Sequence, residues 1–163
     1  MKRERYRTVF DLQRDKVLPS GPHGEGDDPR FMLLGARAEA IKQVLSALPD
    51  AQYDQWKRHV NDVIWFAPHY GLWGRTWDYP TRKVIIYLSP ILDHVGSDEA
   101  VVGVVVHEIA HFLLRNYGPE TPYEQRESEV ERAIREWGFA AEVEAMENVL
   151  RNFFRPPTST PPL

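Results

Sequence analysis

The sequence predicts an α+β fold in which a short three-stranded antiparallel meander packs on a buried helix and on the helix that follows it. Three observations predict this fold class. A helical pattern comes first, three short runs of β-forming residues separated by turn residues come next, and helical patterns fill the second half of the chain. The 163 residues are enough for one hydrophobic core, so we expect a single domain.

This domain is expected to span residues 31–154. Residues 1–30 are interpreted as a flexible arm and loop, because Pro, Gly and charged residues crowd the stretch from Leu18 to Arg30. Residues 155–163 are rich in proline and have little to bury, so we expect a disordered tail there.

Two short helices are predicted at the start of the domain. Apolar residues recur at helical spacing between Ala36 and Leu45, and Leu48-Pro49-Asp50 then breaks the pattern. Asp50 offers an N-cap for a second helix over residues 51–60.

The three predicted strands are Val63–Phe66, Leu72–Trp77 and Lys83–Leu88. Each is rich in β-forming residues, and turns at 67–71 and 78–81 connect them. Consecutive short strands joined by tight turns are typical of an antiparallel meander.

The segment from Asp98 to Arg115 is predicted to be the buried central helix. Its run Val101–Val106 would favour a strand by propensity alone. We predict a helix because the segment is longer than a typical strand and because the polar residues that follow this run make chemical sense only on a helix. A helix that is apolar on all sides is expected at the buried centre of the domain. A loop over 116–123 and a long helical segment over 124–154, with a break near Gly138, complete the domain.

Charge and composition narrow the classes of function. The net charge of -4 and the pI near 5.9 provide no basic field for phosphates, so no nucleic-acid partner is expected. The chain has no cysteine, so a bound metal must use histidine, carboxylate and water. There is no apolar run of bilayer-spanning length and no stretch typical of a secretory signal, so we expect a cytoplasmic protein without a membrane partner.

His107, Glu108 and His111 carry the clearest chemical signal, the motif HExxH. Two histidines four residues apart on a helix project from one face, so both imidazoles can reach a single metal ion. Glu108 lies about 100° around the helix from His107, close enough to hold a metal-bound water. Zinc lowers the pKa of such a water to roughly 7, and Glu108 would take its proton as general base. The motif therefore predicts a catalytic site with one Zn2+ ion.

A third zinc ligand is expected among the carboxylates that follow, because no histidine follows His111. Five candidates lie within reach: Glu120, Glu124, Glu127, Glu129 and Glu131. The apolar stripe through Val130 and Ile134 marks the inward face of the last helical segment. Glu127 lies on that face, whereas Glu129 points away, so Glu127 is the predicted ligand.

Glu131 lies one turn after Glu127 on the same side of the helix. It is predicted to accept the free N–H of a zinc-bound histidine and so to orient that ring. An ion pair with Arg135, four residues further on, is the alternative.

From residue 62 to 139 the sequence resembles the gluzincins, metallopeptidases that pair HExxH with a glutamate ligand on the next helix. The segment 127–139, ESEVERAIREWGF, is similar to the E-x-E-A-D pattern, often followed by Trp-Gly-Phe, of small HExxH domains in bacteria and phages. The family usually has Ala and Asp where this chain has Val130 and Glu131. The resemblance implies a zincin-like fold with Glu127 as the third ligand.

The resemblance also implies where a peptide substrate binds. In such folds the strand at the edge of the sheet binds substrate in extended form by main-chain pairing. The matching residues here are Leu72, Trp73, Gly74, Arg75, Thr76 and Trp77.

Tyr123 is the candidate for stabilising the oxyanion of the transition state, which needs a hydrogen-bond donor beside the metal. Tyr117 and His94 are the other candidates for this role. The predicted function is a zinc-dependent endopeptidase. The alternatives are a zinc-stabilised binding or regulatory domain without catalysis, and a regulatory protease that acts on a DNA-bound repressor or a crosslinked protein.

Overall fold

The structure is a computed structural model that describes residues 17–18, 36–59, 63–66, 74–79, 83–95 and 97–153. The tail predicted over residues 155–163 and nearly all of the arm predicted over residues 1–30 lie outside the described residues.

Helices, strands and one short 3-10 helix alternate along the described chain. In order they are β1 (Val17–Leu18), α1 (Ala36–Ala47), α2 (Asp50–His59), β2 (Val63–Phe66), β3 (Gly74–Tyr79), β4 (Lys83–Leu88), the 3-10 helix (Pro90–His94), α3 (Asp98–Leu114), α4 (Tyr123–Glu136) and α5 (Ala140–Phe153). The bounds of β2 and β4 agree with the prediction, whereas β3 begins and ends two residues later than predicted.

The predicted fold class, α+β with a three-stranded antiparallel meander, is wrong. Helices account for most of the described residues, and the strands form a mixed sheet in the order β1-β2-β4-β3. β2 runs parallel to β4, and only β3 and β4 form an antiparallel pair among the described strands. The connection over residues 67–73 is longer than a tight hairpin turn, so it does not force β2 and β3 together. β4 lies between them, and β3 is left at an edge of the described sheet.

Helix α3 is the centre of the core. The Ser97 side chain accepts a hydrogen bond from the backbone N–H of Ala100 over 3.2 Å and so caps its first turn. All residues from 100 to 106 are buried. This valine-rich stretch is helical despite its preference for strands, because burial on every side by the sheet and the other helices outweighs intrinsic propensity.

Helix α5 packs closely on α3 at Gly103. A Cβ atom at this position would overlap the carbonyl oxygen of Glu142 and would lie 2.9 Å from Met146 Cβ. The break predicted near Gly138 separates α4 from α5, and Gly138 has a φ of +95° that suits glycine. The Gly138 and Phe139 N–H groups donate to the carbonyls of Arg135 and Ile134, which is the Schellman pattern of a helix end.

Of the helices in the described ranges, none combines the length and the hydropathy that crossing a bilayer requires.

Candidate metal centre

His107 and His111 lie one turn apart on α3, and their rings converge. Their Nε2 atoms are 3.1 Å apart, and the ring planes cross at 75° with centroids 4.8 Å apart. Two ring nitrogens at this distance need a proton or a cation between them, because facing lone pairs repel. The spacing of four residues therefore brings both imidazoles to one point, as helix geometry requires.

Helix α4 brings the carboxylate of Glu127 to the same point. Glu127 Oε2 lies 3.1 Å from His107 Nε2, and Glu127 Oε1 lies 3.4 Å from His111 Nε2. Val130 and Ile134, on the same side of α4, are fully buried. Because this apolar stripe packs against the core, the N-terminal part of α4, which includes Glu127, faces the two histidines.

The geometry of these three side chains fits zinc. A tetrahedral zinc ion with nitrogen and oxygen ligands at roughly 2.0–2.1 Å has neighbouring ligand atoms about 3.3 Å apart. The two Nε2 atoms are 3.1 Å apart, close to one edge of that tetrahedron. The two carboxylate oxygens of Glu127 lie 3.1 and 3.4 Å from different rings, and one donor atom from each of the three residues lies within 4.8 Å of the others. The donors are two imidazoles and a carboxylate, a set that zinc accepts. Within the described part of the chain, no fourth histidine or carboxylate joins this group.

The electrostatics of the group suit a cation. Partial burial by itself would raise the pKa of Glu127, but hydrogen bonds from His107 and His111 outweigh it and hold the pKa well below its usual range. Burial opposes a charged His111, yet its bonds to Glu127 and Asn116 and the field of Glu108 raise its pKa. Glu127 therefore stays ionised at neutral pH and faces the two rings with a negative charge.

The end of α3 positions a partner for His111. Arg115 adopts a left-handed conformation with φ 55°, and the Arg115 and Asn116 N–H groups donate to the carbonyls of Phe112 and His111. This reversal places Asn116 Oδ1 2.9 Å from His111 Nδ1. Asn116 accepts the Nδ1–H, so a neutral His111 would present the Nε2 lone pair to a metal.

Asn116 also joins α3 to the helix that carries Glu127. Its Nδ2 donates toward the Arg126 carbonyl and Glu129 Oε2, both at 3.4 Å. Arg126 in turn donates to the Gly118 carbonyl over 3.0 Å. One buried amide therefore contacts a ligand histidine and the first turn of α4 together.

Glu108 lies on the side of α3 that faces β3 and is only 5% exposed. The Thr76 hydroxyl is 2.8 Å from Glu108 Oε2 and 3.0 Å from the Glu108 carbonyl oxygen. Burial raises the pKa of Glu108, although the charges of His107 and His111 and the bond from Thr76 oppose the rise. A raised pKa brings a carboxylate closer to the range of a general base that works near neutral pH.

Tyr123 is the first residue of α4 and is 67% exposed. The charge of Glu127 raises its pKa, with smaller contributions in the same direction from burial and from Glu108. The phenol therefore stays protonated at neutral pH and can donate a hydrogen bond. The Arg126 guanidinium lies 5.8 Å from the centre of the Tyr123 ring.

Glu131 is not part of this group. Its carboxylate accepts hydrogen bonds from Arg135 at 2.9 and 3.2 Å on the exposed side of α4. The structure therefore shows the ion pair with Arg135, and the N–H of His111 is accepted by Asn116.

The other residues predicted for the site lie outside the His107, His111 and Glu127 group. Gly74, Arg75, Thr76 and Trp77 belong to the edge strand β3, while Leu72 and Trp73 lie outside the described residues. Glu120, Glu124 and His94 are exposed, and Tyr117 packs against the core.

Two contacts of the site were not predicted from the sequence, that of Asn116 with His111 and that of Gly74 with Glu108. Asn116 offered one weak signal, a polar residue just past the end of the motif helix. Gly74 offered a stronger one, because glycine inside a strand marks a close approach. A Cβ atom on Gly74 would lie 2.7 Å from Glu108 Oε1, so the strand can approach Glu108 this closely only without a side chain there.

No protein-family model matches this chain, and neither a curated protein nor a solved structure matches it.

Proposed function

We propose that this protein is a zinc-dependent endopeptidase whose metal is held by His107, His111 and Glu127. The observation that carries the proposal is the convergence of these three side chains, whose donor atoms lie within 4.8 Å of one another, with Glu108 buried on the same helix as the two histidines. Catalytic zinc sites use three protein ligands and keep one position for water or substrate, whereas structural sites usually have four. The group found among the described residues has three.

Zinc bound to this group would polarise a scissile carbonyl and would lower the pKa of a water to roughly 7. Glu108 is assigned the role of general base: its carboxylate takes the proton from the attacking water and later gives it to the leaving amine. Burial supports this role, because it raises the pKa of Glu108 and excludes competing solvent from the carboxylate.

Two further elements are assigned roles in this reaction. The outer edge of β3 would pair with an extended peptide through its main chain, because no described strand lies beyond β3. Tyr123 would donate a hydrogen bond to the developing oxyanion, since it begins the helix that carries Glu127 and a phenol is protonated at neutral pH. A cytoplasmic location stays a prediction.

The test replaces Glu108 with glutamine in the full chain. The variant keeps the size of the side chain and loses the base, so we expect one zinc ion per chain in both proteins and a turnover lowered by about 10²–10⁴-fold. Metal analysis gives the zinc content, and mass spectrometry of a digested peptide library gives the turnover. Glu99→Gln is the matched control, because Glu99 is an exposed acidic residue in the first turn of the same helix.

Three results distinguish the alternatives. Cleavage by Glu108→Gln at the rate of the wild type would disprove the role of Glu108. Stoichiometric zinc without cleavage by the wild type would favour a zinc-stabilised binding domain. A chain that takes up no zinc would refute the metal centre itself.

A further inference from the structure

Strand β3 contacts Glu108 through two alternate residues, Gly74 and Thr76. Residues two apart on a strand lie on the same face of the sheet. In the antiparallel register Gly74 lies opposite Leu88 and Thr76 lies opposite Ile86, and both Leu88 and Ile86 are fully buried. The inner face of the edge strand is therefore directed at Glu108 on α3.

Gly74 brings the backbone of β3 against the carboxylate. A Cβ atom on Gly74 would lie 2.7 Å from Glu108 Oε1 and 2.8 Å from Glu108 Cγ. Real Cβ atoms do not approach other atoms this closely, so any side chain at position 74 would displace Glu108 or the strand. The position of the Glu108 side chain is thus limited on this side by backbone atoms.

Thr76 contacts the other oxygen of the same carboxylate. Its hydroxyl lies 2.8 Å from Glu108 Oε2, and Thr76 is only 7% exposed. A buried hydroxyl and a buried carboxylate are both costly without partners, so this bond is strongly favoured in the folded protein. Thr76 therefore holds one oxygen of the carboxylate, and the other, Oε1, lies beside the backbone of Gly74.

We propose that Thr76 is a positioning residue, which holds Oε2 of Glu108 and so fixes the orientation of the carboxylate that must accept the proton. This proposal rests on the function proposed above and deepens it. Because Thr76 belongs to the strand whose outer edge would pair with the substrate, a peptide docked on β3 is held in register with the base. Substrate docking and orientation of the base therefore depend on one strand.

The test compares Thr76→Val with Thr76→Ser. Valine keeps the shape of threonine and removes the hydroxyl, whereas serine keeps the hydroxyl. We expect Thr76→Val to lower kcat by about 10- to 100-fold, the range that a small misplacement of a catalytic group costs, with KM and zinc content nearly unchanged. Thr76→Ser should retain most of the wild-type kcat.

Ser97→Ala is the control for loss of a side-chain hydrogen bond on α3. It removes a hydroxyl that caps the opposite end of the helix, far along the chain from Glu108. We expect this variant to lower the melting temperature and to leave kcat unchanged. A loss of kcat in Ser97→Ala as large as in Thr76→Val would overturn the proposal, because the effect would then follow stability.

A second measurement does not depend on activity. In crystal structures of the zinc-loaded wild type and Thr76→Ser, the Glu108 carboxylate should have the same single orientation. In Thr76→Val it should be rotated or should occupy two alternate conformations. An unchanged orientation in Thr76→Val would overturn the proposal. Reorientation of the carboxylate in a protein that cleaves no peptide would support the role of Thr76 and would count against the peptidase function. Failure of the positioning role and failure of the proposed function therefore give different results.

Discussion

Replacing Glu127 with glutamine tests whether the His107, His111 and Glu127 group binds zinc or is only a cluster of ion pairs. The amide has the size of the carboxylate and lacks its charge. Glu127 contributes the one negative charge among the three donors, with its oxygens 3.1 and 3.4 Å from the two ring nitrogens. A metal centre should lose most of its affinity when this charge is removed.

The size of the effect follows from binding linkage. Free zinc at about 1,000 times its Kd stabilises the wild type by about 4.1 kcal/mol. Loss of a residue that hydrogen-bonds a metal ligand can weaken metal binding by roughly 100-fold. Loss of the ligand itself should weaken zinc binding at least as much. At the same zinc concentration the stabilisation is then about 1.4 kcal/mol or less. Each kcal/mol shifts the Tm of a domain of this size by about 2–4 °C, so the rise caused by zinc should fall from about 12 °C to about 4 °C.

The assay is thermal unfolding with and without buffered zinc, followed by circular dichroism or calorimetry. Glu131→Gln is the matched control, because it makes the same change one turn further along α4, where the carboxylate is exposed and bonded to Arg135. This control should show the wild-type rise in Tm. An equal rise in Glu127→Gln would refute the assignment of Glu127 as a ligand, and no rise in the wild type would refute the metal centre.

Two further predictions concern positions that the sequence did not single out. Asn116→Ala removes the acceptor of the His111 Nδ1–H and should weaken zinc binding by about 10- to 100-fold, as measured by competition with a chromophoric chelator. Asn148→Ala, at an exposed position on α5, should bind zinc as the wild type does. Gly103→Ala would usually stabilise a helix, but here its methyl group meets the backbone of α5, so we expect a loss of about 1–3 kcal/mol in urea unfolding. An unfolding midpoint equal to or above that of the wild type would contradict this view of the contact between α3 and α5.

The extents of many elements could be predicted from local sequence, but their arrangement could not. The motif helix was predicted over residues 98–115 and is found at Asp98–Leu114, because its length and the spacing of the two motif histidines favour a helix over a strand. Strand pairing is different, since β2 and β4 are separated in the chain by β3 and its connections. Nothing in the local pattern of β2 indicates whether its partner is the next strand or the one after, and the predicted meander was therefore wrong.

In the candidate site, too, local sequence predicts some features and the packing of neighbouring elements decides others. The periodicity of Val130 and Ile134 places Glu127 on the inward face of α4, and the structure brings its carboxylate to the histidines. Glu131 shares that side of the helix by spacing, yet its side chain lies at the surface with Arg135. Helical spacing gives a direction around the axis, but the neighbouring elements decide how deep each position lies.

The sequence by itself determined that His107 and His111 share one face of a helix with Glu108 beside them, because an α-helix repeats every 3.6 residues wherever it forms. Only the three-dimensional structure decided that α4 brings Glu127 Oε1 to 3.4 Å from His111 Nε2 and that Asn116 orients His111. It also decided that Gly74 and Thr76 of an edge strand hold Glu108. The contacts of Glu127, Gly74 and Thr76 join residues far apart in the chain, so they depend on which buried faces pack together. Asn116 is only five residues from His111, and the left-handed conformation of Arg115 brings it there.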